Sequence, residues 1–218
     1  MNGGHDLGGQ HGFGPINPEL EKKSIFHHEW ERRAFAITLA CGFLGKWNID
    51  EARHAREFQN PVKYLTNSYY QNWLYGLETL LVKKGLITEQ ELLSGKSHQS
   101  NNGRSVPGAE RVREILASGG PTNIEDARVP RFQYGQQVKV CNDHPIGHTR
   151  MPRYTRGCEG VIDRLHGVHV FPDKNSVGEV DGEYLYNVRF EAEALWGEPH
   201  KGQGSVHVDL WEPYLEET

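Results

Sequence analysis

The sequence predicts an α+β protein in three parts: an extended N-terminal arm over residues 1–27, a helical domain over 28–127 and a small antiparallel β-barrel over 128–218. Three observations carry this. Glycine recurs at positions 3, 4, 8, 9, 12 and 14 with Pro15 and Pro18 close behind, a composition that neither a helix nor an ordinary strand accommodates. Apolar residues then advance in steps of three and four, as on one face of a helix, until the breaker Gly119-Gly120-Pro121. Beyond about residue 128 the period becomes two, the signature of half-buried strands.

A Gly-rich polar arm of this kind is disordered in a monomer unless a partner surface supplies the burial that offsets its ordering entropy. After His28, the residues Trp30, Ala34, Ile37, Cys41 and Leu44 share one helical face, with Gly42 and Gly45 weakening its end. Asn48, with Glu51 three residues later, opens a second helix as a capping box, and Pro61 is expected to limit it downstream. A third helix begins near Ser68, carries Tyr69, Tyr70, Trp73, Leu74, Leu77, Leu80 and Leu81, and stops at Gly85. Thr88 and Glu91 box the start of a short helix through Leu93. Residues 95–108 then read as a polar linker, and a last helix covers Glu110 to Leu116.

The alternating stretches are Val138-Lys139-Val140, Tyr184 through Phe190 and Val206 through Leu210, separated by clusters of Gly, Pro, Asn and Asp. About 90 residues of such sequence suffice for an SH3-like barrel.

Composition narrows the function. With 24 basic against 29 acidic residues the formal net charge is −5, which argues against indiscriminate nucleic-acid binding. No run of 18 or more apolar residues is present, and the polar N-terminus lacks a secretory pattern, so a cytoplasmic, non-membrane protein is expected. Cys41, Cys141 and Cys158 are too scattered for a disulfide framework or a Cys-x-x-Cys site, although positive charge around Arg156 could favour a Cys158 thiolate. His144 with His148, and His166 with His169, have no evident third ligand, and glycine or proline interrupts each pair. Asp143, Glu159 and Asp163 supply carboxylates near one loop, without the geometry that acid–base catalysis demands being readable. No phosphate loop or serine nucleophile elbow occurs.

Two arginines stand out. Arg53 lies in Asp50-Glu51-Ala52-Arg53-His54-Ala55-Arg56-Glu57, and Arg150 in Gly147-His148-Thr149-Arg150-Met151-Pro152-Arg153-Tyr154, an irregular connection where side chains are free to serve a site. Planar guanidinium groups are charged at any ordinary pH and present fixed N–H donors, so two of them make a clamp for oxyanions. They amount to half of a site.

These segments carry a resemblance. Met1-Asn2-Gly3-Gly4-His5-Asp6-Leu7-Gly8-Gly9 through Pro15, Trp30-Glu31, Asn48-Ile49-Asp50 with Arg53-His54 and Glu57, Tyr69-Tyr70 with Trp73, the Arg150 segment with Arg156-Gly157, and Asp209 through Leu215 together resemble the nitrile hydratase beta subunit family. The likeness spans almost the whole chain, in order. It implies an arm wrapped around an alpha subunit, an obligate heterodimer or heterotetramer, and a SH3-like barrel. It also implies an Fe(III) or Co(III) centre held by the alpha subunit through cysteine sulfurs, two of them oxidised, and backbone nitrogens, with no metal bound by this chain. The implied reaction is hydration of a small nitrile to its amide, through activation by the metal or through attack by a sulfenate oxygen. Arg53 and Arg150 would hydrogen-bond the oxygens of the oxidised cysteines. Tyr69 and Trp73 would line the substrate pocket, with His54, Glu57 and His148 in supporting positions. One departure is evident: the family commonly carries an acidic residue and then a basic residue or histidine between the second tyrosine and the tryptophan, where this chain has Gln71 and Asn72. The rival readings are a non-catalytic SH3-like adaptor and a metallochaperone-type activator resembling the helical half. The joint presence of the Arg53 and Arg150 segments favours the catalytic subunit.

Overall fold

The computed structural model describes residues 2–16, 18, 24–98 and 105–218. They form two compact units, Met1–Gln10 with Pro121–Thr218, and His11–Gly120. Part of the expected arm and of the 95–108 linker lies outside the described residues.

In the second unit the helices are α1 (Glu29–Gly42), α2 (Ile49–Glu57), α3 (Pro61–Thr66), α4 (Tyr69–Lys83), α5 (Glu89–Ser94) and α6 (Ala109–Ser118). Local sequence sets most of their starts. At α1 the Glu31 carboxylate accepts from the amides of His27 and His28 at 2.6 and 3.1 Å. At α2 the Asn48 side chain accepts from Asp50 and Glu51, while Glu51 reaches back to the Asn48 amide at 2.9 Å. Ser68 with Gln71, and Thr88 with Glu91, repeat the arrangement at α4 and α5. Pro61 does not merely limit α2. It sits in the first turn of α3 behind the Asn60 cap, where a missing amide proton costs nothing. The core of this unit is thin, with Ala34, Ala55, Tyr70, Leu77, Leu80 and Leu86 buried. Trp30 and Ile37, on the apolar face of α1, are 38% and 47% exposed.

The first unit is built on five strands: β1 (Gln137–Val140), β2 (Glu159–Val170), β3 (Gly182–Glu191), β4 (Ser205–Trp211) and β5 (Leu215–Glu217). Every pairing is antiparallel and the order is β4-β3-β2-β1-β5. The α+β expectation holds, but β4 and β5 are edges, so the sheet is open where a closed barrel was expected. The longest strand, β2, is absent from the alternation read in the sequence. Register shifts between Ile162 and Arg164 and between Leu165 and Gly167 break its period of two, each shift letting residues slip to the other face. Consequently Glu159, Asp163, His166 and His169 belong to a strand and not to a loop. Tyr186, Val188 and Phe190 alternate inward from β3 at 0% exposure and meet Phe132, Ile162 and Leu210 in the one extensive apolar core. Two short helices flank the strands, α7 (Pro172–Asn175) and α8 (Ala192–Trp196).

Residues 2–10 fold onto this same unit. The Asp6 carboxylate accepts from the Arg153 amide at 2.9 Å, and Asn2 donates to the Pro145 carbonyl at 2.6 Å while accepting from Arg156. Gly8 and Gly9 lie so close to Tyr154 and Trp196 that an added Cβ would stand 2.3 and 2.6 Å from their rings. The glycines of the arm are therefore a packing requirement at these two positions.

Candidate functional site

The connection carrying Arg150 is held rigidly from below. The Tyr214 hydroxyl accepts from the Arg150 amide at 3.1 Å and donates to the Asp173 carboxylate at the start of α7. Thr149, 2% exposed, hydrogen-bonds the same carboxylate. Burial raises Asp173 from its ordinary value, and donation from Tyr214 and Thr149 together with the nearby His148 pull it back. Burial and the adjacent Asp173 raise Tyr214 well above its ordinary value, so it stays a donor. His148 is buried beside this network, whereas Arg150 is only partly buried. A second brace comes from Arg156, which donates to the Met151 carbonyl at 3.1 Å and contacts His144 Nδ1 at 2.7 Å. Arg has no acceptor, so that nitrogen of His144 accepts and its proton sits on Nε2. Neither Asp173 nor Tyr214 is signalled by local sequence, because each lies more than twenty residues from Arg150.

In the helical unit Arg53 projects from α2 and donates to Asp50 Oδ1 at 2.9 Å, one turn back. The pair is asymmetric: the Asp50 side chain is 5% exposed and that of Arg53 40%. A buried carboxylate thus fixes the base of a guanidinium whose remaining donors face outward. The helix itself is anchored through Glu51, whose other oxygen accepts from Lys84 at 2.5 Å beyond the end of α4. His54 packs on Phe58 with ring centroids 5.2 Å apart, and Glu57 occupies the same helix near Arg56 and Tyr64.

The two aromatic candidates separate. Trp73 lines a cavity of about 300 Å³ among α1, α2 and α4, together with Leu39, Phe43, Trp47, Arg56 and Leu77. Tyr69, one turn earlier, is 67% exposed and is not among the lining residues, although its ring lies 5.8 Å from that of Trp73. Gln71 and Asn72, the departure noted above, have structural duties. Gln71 closes the cap of α4, and Asn72 accepts from Gln59 and Asn67 at 3.0 and 3.1 Å while donating to the Tyr64 carbonyl at 3.0 Å. Arg56 was overlooked in the sequence. Its signal is Gly76, a glycine amid the apolar residues of α4 whose missing Cβ leaves the room that Arg56 occupies.

Among the described residues no group of three or more His, Cys, Asp and Glu side chains is placed to hold a metal ion. His166 faces Asp209 at 3.0 Å and His169 faces Thr122 at 3.0 Å, so that pair points to separate partners. Cys158 is no activated thiolate: burial raises all three thiols. No helix of the described residues is long and apolar enough to cross a membrane.

An open antiparallel sheet, two braced arginines, and a helical unit that exposes Trp30, Ile37, Ile49, Phe58 and Tyr69 define an α+β protein. The family model of the nitrile hydratase beta subunit N-terminal region matches residues 1–120, and that of the C-terminal region matches residues 121–217. Curated relatives agree along their lengths. The chain is 35% identical to a nitrile hydratase subunit beta of Pseudomonas putida, covering 99% of each. It is 37% identical to a cobalt-containing nitrile hydratase subunit beta of Pseudonocardia thermophila, covering 99% of this chain and 96% of the relative. It is 36% identical to a low-molecular weight cobalt-containing nitrile hydratase subunit beta of Rhodococcus rhodochrous, covering 99% of each. The chain belongs to the nitrile hydratase beta subunit family. A recombinant apo thiocyanate hydrolase from Thiobacillus thioparus overlaps 53% of this chain and all of its own at TM-score 0.42 and 21% identity, too loosely to bear on function.

Proposed function

We propose that this chain is the beta subunit of a nitrile hydratase, active with an alpha subunit that holds Fe(III) or Co(III), and that together they convert a nitrile and water to an amide. What carries the reading is similarity to nitrile hydratase beta subunits over 99% of the chain. The metal, when bound by the alpha subunit, would supply Lewis acidity for the hydration, whether water or a sulfenate oxygen is the nucleophile.

This chain's own part is positional and electrostatic. Arg53, based on Asp50, and Arg150, on a connection braced by Tyr214 and Asp173, donate to the oxygens of the alpha subunit's oxidised cysteines. Such oxygens away from water need charge-assisted donors, and donors already held in place lose little freedom when they engage. Trp73 forms an apolar wall for the organic group of the nitrile, and Tyr69 offers a hydroxyl from an exposed position that the alpha subunit covers. His54 and Glu57 support the Arg53 helix, and His148 supports the Arg150 connection. The exposed aromatic and aliphatic side chains of α1, α2 and α4 are the surface that the alpha subunit buries, together with part of the 1–27 arm. Residues 128–218 are an SH3-like domain in this reading, supported by their all-antiparallel five-stranded sheet.

The test is co-expression with the alpha subunit and its activator, purification by a tag on this chain, and joint assay of nitrile hydration and metal content. A metal-bearing complex that turns over, beside a metal-free and inactive isolated chain, is expected. In the same complex Arg53→Lys and Arg150→Lys lower turnover about tenfold or more with assembly intact, because a point charge does not hold two oxygens in one plane. Wild-type turnover in both variants would sink the assigned roles.

A further inference from the structure

Among the described residues Arg56 is the only charged one lining the cavity among α1, α2 and α4, whose walls are otherwise Leu, Phe, Trp, Ala and Gly with Thr38. Thr38 spends its hydroxyl proton on the Ala34 carbonyl at 2.7 Å. The Arg56 side chain is fixed at three places. Its Nε donates to the Ala52 carbonyl at 3.1 Å, its guanidinium carbon stands 4.8 Å from the Trp73 ring centroid, and its Cγ fills the space where a Cβ on Gly76 would come within 2.4 Å. The two terminal nitrogens are different. Among the described residues they meet no hydrogen-bond acceptor, and no carboxylate lies within ion-pair distance. Burial lowers the guanidinium from its ordinary value, with Tyr69 and Glu57 acting at a distance to raise it, so it is partly desolvated yet still charged.

An apolar cavity of about 300 Å³ suits a small organic molecule, and a desolvated fork of N–H donors without an acceptor suits a planar anion. We propose that Arg56 selects nitriles that carry a carboxylate: the acid end of a short cyano-carboxylate pairs with the Arg56 terminal nitrogens while its methylene chain lies along Trp73. The inference rests on the nitrile-hydrating role proposed above and names the substrate class. The reaction is unchanged, one water adding across the C≡N bond to leave the amide, and the carboxylate takes no part in it.

The experiment uses the metal-loaded complex with the alpha subunit and three nitriles of equal chain length, a cyano-carboxylate, its methyl ester and the plain alkyl nitrile. The wild-type complex is expected to favour the carboxylate over the ester by about tenfold to a hundredfold in kcat/KM, the worth of a hydrogen bond to a charged group. The preference is carried mainly in KM, since the pairing is made equally in ground and transition states. Arg56→Met, which keeps length and apolar contact with Trp73, brings the carboxylate-to-ester ratio near one. Should Arg56→Met fail to assemble, the wild-type ratio and its decline with added salt decide alone. Hydration of ester and alkyl nitrile as well as or better than the carboxylate overturns the assignment and makes Arg56 a cation for the subunit interface. Failure of the complex to hydrate any of the three instead refutes the activity on which the proposal stands.

Discussion

Replacing Tyr214 with Phe removes one oxygen atom from the brace beneath Arg150 and leaves the buried ring in place, so no cavity opens. Two interactions dominate the loss, beside a contact with Thr149. The Asp173 carboxylate loses a hydroxyl donor, a hydrogen bond to a charged group worth about 1.5–3 kcal/mol, and the Arg150 amide loses its acceptor, worth about 1 kcal/mol where water retains some access. The sum, about 3 kcal/mol, falls on a unit of 108 residues, from Met1–Gln10 and Pro121–Thr218. At the entropy of a domain of that size, its calorimetric transition drops by roughly 12–20 °C. pH discriminates this origin from a general loosening. The folded pKa of Asp173 is raised, so its contribution to stability is full below the unfolded value of about 3.9 and is lost as pH rises through the folded value. The Tyr214 hydroxyl moderates that loss by favouring the charged carboxylate. Removing it therefore costs most near pH 7.5 and progressively less toward pH 4. Calorimetry across that range, with nitrile turnover measured beside it, is the assay. An unchanged transition, or a penalty that grows on acidification, would refute the account of the brace.

Three further outcomes are expected. Gly76→Ala destabilises the helical unit by about 1–3 kcal/mol in urea unfolding despite the better helix propensity of Ala, because its Cβ meets the Arg56 backbone as well as the side chain; a gain in stability would mean that α2 and α4 are not that close. Lys84→Met strips the cation from Glu51, which is 8% exposed, and costs about 1–3 kcal/mol, tempered by the amides of the α2 cap. A denaturation midpoint equal to wild type would contradict it. Cys41, Cys141 and Cys158 are expected to react with a thiol reagent at neutral pH more slowly than free cysteine, since burial raises each; rapid labelling of Cys158 would restore the activated thiolate.

Helix starts were legible in the sequence because their causes are local. Asn48 with Glu51, Ser68 with Gln71 and Thr88 with Glu91 each satisfy backbone amides within four residues. Strands β1, β3 and β4 were legible because they keep an unbroken period of two. Strand β2 was not, since its register shifts scramble the pattern in the residues that do the most pairing. Exposure on α1 was not legible for a related reason: periodicity reports that an apolar face exists and is silent on whether this chain or another covers Trp30 and Ile37. The residues of the two arginine segments stood out by type, whereas their supports did not. Asp50 is a neighbour of Arg53, but Tyr214 comes to Arg150 from 64 positions away. Arg56 was hidden as one more charge on a charged helix until its contact with Gly76 separated it from the surface.

The clasp between residues 2–10 and the segment from Pro145 to Arg156 sets an order of events during synthesis. Residues 2–10 find their docking place only after roughly 150 more have been added, about 8–30 s later at ordinary elongation rates. All of His11–Gly120 emerges in that interval, with helices whose caps need nothing from downstream. Strand β1 must likewise wait for β5, its partner across more than seventy residues. Helices that mature early beside a tail and a sheet that mature late leave a window in which the helical face is formed and the remainder of the chain is not, and a partner translated nearby can engage that face before the chain is finished.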